Sequence, residues 1–203
     1  MELKHTFITK SHGLTELFTD KVNTLNKFMK SLEKQSLIDP LRYNTQDYLG
    51  DGFEFFIELL LHLHPVDNRL GVYNYQPVPS SKDKGIDGIG VNIKMEPCAV
   101  QIKYRSNTTY ILTANVDHLS NFISESMNRQ IIYDFENSKN YRHFIFTTAK
   151  GLHHYTESEM YEKHVKCFGY KELRSLVDNN LPFWNKVREI VKNLENKHYE
   201  HTR

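Results

Sequence analysis

Two cysteines in 203 residues, Cys98 and Cys167, are too few for a disulfide framework or a thiolate zinc site. Charge of one sign is not in excess either: 26 Lys and Arg face 25 Asp and Glu, a formal net charge of +1. A protein that coats nucleic acid non-specifically is usually far more basic, so any nucleic-acid contact has to come from a local patch. Long apolar runs are missing. MELKHTFITK has no signal-like core, and FEFFIELLLHLHP is too short to span a bilayer and is interrupted by Glu54 and Glu58. No repeat, low-complexity tract or Gly-rich loop ending in Lys-Ser/Thr is present. What remains is ordinary globular protein, 39% hydrophobic and 25% charged. It reads as a protein of the reducing cytoplasm with no membrane partner.

The pattern of elements predicts an α/β chain. HGLTELFTDKVNTLNKFMKSLEKQ places Leu14, Leu17, Phe18, Val22, Leu25, Phe28, Met29 and Leu32 at helical spacing. That face packs either on the chain's own core or on a partner. IDPLRYNTQDYLGDG reads as a loop, with Pro40 and its glycines breaking the period. DGFEFFIELLLHLHP follows as a helix with Asp51 as N-cap and Pro65 as stop. GVYNYQPV, GIDGIGVNI and CAVQIKYR read as strands, NVDHLSNFISESMNRQII as a helix, YRHFIFTTA as a further strand. A helical turn, a short strand at Val165–Phe168 and two helices close the chain, with Pro182 in the first turn of the last. The expected division is a helical extension over 1–50 and an α/β domain with a mixed sheet over 51–203.

Three segments carry chemistry. In CAVQIKYR, Gln101 and Lys103 share a face, and helices before and after the strands cover both faces of the sheet. Polar groups on a covered face need partners, since leaving one unpaired costs about 1–3 kcal/mol. Asp87 is the nearest carboxylate. An antiparallel hairpin through NIKMEP brings it near the level of Gln101 and Lys103, although Asp-Gly alone is also a common turn signal. On the FEFFIELLLHLH helix, Glu54, Glu58 and His62 form a narrow polar stripe on an otherwise apolar cylinder. Asp51 with Glu54 also fits a capping pair, which leaves Glu58 unexplained. Carboxylates, an amide oxygen and a lysine together suit a hard divalent cation such as Mg²⁺ and hydrolysis of a phosphodiester.

These residues resemble the PD-(D/E)xK nuclease superfamily, and within it the Mrr-like restriction endonucleases. The resemblance rests on Phe53-Glu54, Gly85-Ile86-Asp87, Gln101-Ile102-Lys103 and the strand-plus-TT segment Phe144–Leu152. It covers roughly 52–152, and residues 1–50 and about 155–203 have no counterpart. Gln101 stands where most of the superfamily has an acid, and DKGID lacks the leading proline. The resemblance implies a restriction-endonuclease-like mixed β-sheet flanked by helices, with an added N-terminal helix. It implies a Mg²⁺- or Mn²⁺-dependent DNA endonuclease whose active-site set is Glu54, Asp87, Gln101 and Lys103, with Glu54, Asp87 and Gln101 on the metal. A Holliday-junction resolvase of the same fold, acting as a homodimer, and a catalytically inactive DNA- or protein-binding module, alone or within a larger multidomain assembly, stand as alternatives.

Other residues complete the reading. Glu58 and His62 are secondary candidates behind the metal set. Lys82, Lys84 and Arg105 are the expected DNA contacts, with Arg69 and Lys94 nearby. His62 and His64 are two apart on a helix and cannot face one site; His153 and His154, being adjacent, are expected to diverge.

Overall fold

A computed structural model of the chain describes residues 3–10, 13–38, 43–64, 70–79, 85–129, 131–132, 140–157 and 165–201. Its centre is a five-stranded mixed sheet of order β1-β2-β3-β5-β7: Tyr73–Pro77, Gly88–Val91, Pro97–Lys103, His143–Thr147 and Val165–Phe168. β1, β2 and β3 are antiparallel neighbours, whereas β3, β5 and β7 run parallel. A two-stranded parallel ladder, β4 (Ile111–Leu112) and β6 (Gly151–Leu152), stands apart from it.

Helices cover both faces. Val100 and Ile102 of β3 belong to one apolar core with α4 (Thr45–Leu63), while Ala99 belongs to another with Leu119, Phe122 and Ile123 of α5 (Leu119–Asn128). This alternation makes Pro97–Lys103 buried along nearly its whole length, as expected for a strand covered on both sides. Met127, near the end of α5, is 46% exposed. Two further helices, α6 (Tyr170–Val177) and α7 (Leu181–His201), pack Leu173, Val177, Trp184 and Val187 into the α4 core. Among the described residues no helix is long and apolar enough to cross a membrane.

The N-terminal region departs from the single predicted helix. It divides into α1 (Phe7–Lys10), α2 (Leu14–Leu17) and α3 (Leu25–Ser36). Thr24 starts α3 by accepting the Lys27 amide at 3.2 Å. All eight apolar positions from Leu14 to Leu32 are nevertheless buried in the chain's own core. Phe18 stacks on Phe28, and Phe28 on Phe56 of α4, so the face that had two possible destinations is spent internally.

α4 begins earlier than its sequence suggests. Asn44, whose side chain accepts the Gln46 amide at 2.8 Å, is the N-cap, and the chain is helical from Thr45. Asp51 therefore lies within the helix and caps nothing. Its carboxylate accepts instead from the Tyr43 hydroxyl. The expected boundary at 50/51 falls inside α4, and α2 and α3 share the core of the residues that follow.

Candidate functional site

β2 and β3 form the antiparallel hairpin the sequence suggested. Gly88 pairs with Val100, which sets Asp87 opposite Gln101 just beyond the last ladder pair. Asp87 is only 5% exposed, and its Oδ2 accepts the Ile102 amide. The carboxylate is thus held at the end of β2 by the backbone of the strand that carries Gln101 and Lys103. The expected partnership of Asp87 with those two side chains is replaced by this one.

Gln101 is fully buried, and its Nε2 donates to Gly85 O at 3.0 Å. That bond needs a positive backbone angle at Gly85, φ 93°, which glycine adopts without penalty. It also orients the amide: the Gly85 carbonyl requires a donor, so Oε1 points the other way. Oε1 has no hydrogen-bond partner there. A buried unpaired carbonyl oxygen ordinarily costs about 1–3 kcal/mol, and such an oxygen is of the type a hard cation takes as a ligand. Two residues on, Lys103 shares the Gln101 face and is half-buried. The Thr147-Thr148 pair braces the strand behind it: Thr147 Oγ1 donates to Lys103 O and Thr148 Oγ1 to Arg105 O, both at 2.8 Å.

Asp87, Gln101 and Lys103 therefore gather at one strand end. Glu54 approaches from the opposite layer, that of α4. Between them stands Tyr75, a residue the sequence reading missed. Its hydroxyl donates to Asp87 O at 3.4 Å. Burial, with the charges of Glu54, Asp87 and Glu58 around it, pushes its pKa well above the usual tyrosine value. Val78 makes a second link: its amide donates to Asp87 O at 2.9 Å, and it lines, with Glu54, a cavity of about 80 Å³.

The rest of the acidic stripe faces backbone rather than cations. Glu58 is fully buried and accepts the amides of Lys4 (2.8 Å) and His5 (3.2 Å). Desolvation outweighs these donors and raises its pKa. His62 sits 4.0 Å from Glu58, and burial lowers its pKa. The N-terminal strap is fastened a third time by His5, whose Nε2 is 3.0 Å from Glu54.

His5, Asp51 and Glu54 bring three ligand atoms within 4.8 Å of one another, a possible metal cluster that the sequence reading did not contain. Nothing in MELKHTF marks His5, because its partner lies 49 residues away. The hydrogen bonding bears on its role. Phe7 N–H donates to His5 Nδ1 at 3.1 Å, so Nδ1 carries the lone pair and the ring proton sits on Nε2, facing Glu54. A protonated ring nitrogen does not ligate metal. While that bond holds, His5 clamps Glu54, and the donor set that fits a hard cation is Asp87 with Gln101.

Among the predicted DNA contacts, Lys82, Lys84 and Arg69 lie outside the described residues. Arg105 is held by Asp117, a carboxylate 1% exposed, and also donates to Tyr104 O at 2.8 Å. Lys94 sits in the hairpin turn at the far end of β2, about 20 Å of extended chain from Asp87. His153 and His154 do not diverge: their ring centroids are 4.3 Å apart. Compared with family models, curated proteins and solved structures, the chain matches none.

Proposed function

We propose that the chain is a divalent-metal-dependent DNA endonuclease with a restriction-endonuclease-like core. The observation that carries the reading is the buried Gln101 Oε1, without a hydrogen-bond partner, on the strand end that holds Asp87. Asp87 and Gln101 would hold Mg²⁺ or Mn²⁺, and Glu54 would join them only on release from His5. Such an ion, when bound, lowers the pKa of a water and offsets charge building on a phosphate. Lys103, whose backbone carbonyl accepts from Thr147 Oγ1, offers its Nζ to a non-bridging phosphate oxygen and holds the scissile group against the water. Tyr75 fixes the backbone of Asp87 from below.

Hydrolysis of supercoiled and linear DNA with Mg²⁺ or Mn²⁺ tests the proposal. Nicking that stops in EDTA and falls about 10²–10³-fold in Asp87→Asn and Lys103→Ala is expected. No cleavage with either ion, or undiminished cleavage by Lys103→Ala, overturns it.

A further inference from the structure

The parallel strands β3, β5 and β7 end at one edge of the sheet, and ligands of open α/β sheets sit outside such carboxyl ends. Lys103 occupies that edge on β3, paired with Thr147 at the end of β5. Beyond β5 and β7 lies a separate cavity of about 430 Å³, within the ~300–1,000 Å³ range of small-molecule sites. His153 and His154 line it, and Tyr155 completes a ring cluster with centroid separations of 4.3, 5.5 and 3.9 Å. Tyr155 is 74% exposed, so the cluster offers ring surface to solvent rather than to the core.

The remaining lining is chemically mixed. Ile111 and Leu152 are apolar, Lys150 is an exposed cation, and Glu157 and Glu172 supply carboxylates. One Glu172 oxygen receives the Gly169 amide, which leaves the exposed Glu157 as the more available acceptor. Among the described residues the three-ligand cluster is elsewhere, at His5, Asp51 and Glu54. Cys167, with its pKa pushed up to about 12 by burial, stays a neutral thiol.

We infer that this cavity is a nucleobase pocket, taking one unpaired or extruded base of a DNA strand against the His153 and His154 rings that line it. The inference rests on the reading of the chain as one that acts on DNA. Rings stack on the flat face of any base, and Lys150 meets the adjoining phosphate. The Glu157 carboxylate accepts from the edge of the base, and guanine alone presents an imino and an amino donor side by side. Guanine is therefore the preferred occupant. β7 is two strand spacings from β3, about 10 Å, a span a few nucleotides of unpaired strand cover. A strand whose phosphate lies at Lys103 can thus reach the pocket.

The test uses the full chain in EDTA, so that no cleavage is needed, and fluorescence anisotropy with short single-stranded oligo-dT. The central residue is dG, dT or an abasic site. The dG oligonucleotide is expected to bind at least about tenfold tighter than the abasic one. His154→Ala, at an exposed position of the lining, weakens the dG complex by roughly 5- to 100-fold. Glu157→Gln narrows the preference for dG over dT. Equal affinity for dG and abasic strands, or no effect of His154→Ala, overturns the pocket. Cleavage by a protein indifferent to the base removes only the pocket, and base-selective binding without cleavage removes only the nuclease reading.

Discussion

Gly88→Ala is the substitution for which the geometry makes the clearest demand. In a strand, alanine is ordinarily better than glycine by about 0.5–1 kcal/mol, so an unconstrained site would gain stability. Here an added Cβ would lie 2.1 Å from Tyr75 Cε2, 2.5 Å from Cζ and 2.6 Å from the hydroxyl oxygen. Ordinary contact begins near 3.4 Å, so the ring must retreat by more than 1 Å. Tyr75 is 5% exposed and packed in the α4 core, and it has no empty direction to take. Overpacking of this kind costs about 1–3 kcal/mol, at the upper end when a whole ring must move. For a chain of this size that is a loss of roughly 2–4 °C in melting temperature per kcal/mol. Thermal unfolding followed by circular dichroism measures it. In a Tyr75→Leu background, where the ring is gone, the same change should cost less than about 0.5 kcal/mol. A Gly88→Ala protein as stable as wild type would refute the close approach of β1 and β2, and with it the position given to Asp87.

Two further outcomes are expected. Glu58 has a raised pKa in the fold, so its ionisation opposes folding: stability is fullest below the unfolded value and is lost as pH rises through the folded one. Chemical denaturation from pH 4 to 8 should show the stability of wild type relative to Glu58→Gln falling as pH rises, and a difference constant with pH would exclude the buried carboxylate. His5→Ala should leave divalent-ion affinity, measured by calorimetry, within about threefold of wild type, because the protonated Nε2 is a clamp for Glu54 and not a ligand. A tenfold loss would restore the histidine to the metal site.

What was legible in the sequence, and what was not, divides along local and long-range physics. The period-2 alternation of CAVQIKY and the turn through NIKMEP pointed to an antiparallel hairpin with Asp87 near Gln101 and Lys103, and the hairpin sets it opposite Gln101. The start of α4 was hidden because Gly50 and Gly52 resemble a loop. Gly52 is instead a packing residue: a Cβ there would lie 2.4 Å from Leu32 Cδ1, so α3 and α4 approach too closely for any side chain. Asp87-Gly88 had two readings for a similar reason, and the close approach of Tyr75, not a turn, explains the glycine. In the N-terminal region the apolar period runs on through residues 18–24, where the helix does not, so periodicity alone could not show the break before Thr24. His5 and Tyr75 were invisible because their roles arise from contacts across tens of residues, or across the β1–β2 pair, that no local spacing encodes.

The measurement that bears most directly on the site is anomalous diffraction from crystals soaked in Mn²⁺. A peak within about 2–2.5 Å of the Asp87 carboxylate and Gln101 Oε1, with Lys103 beside it, is the expected result. Density at His5, Asp51 and Glu54 instead, with none at the end of β2, would contradict the assignment of the cation to Asp87 and Gln101.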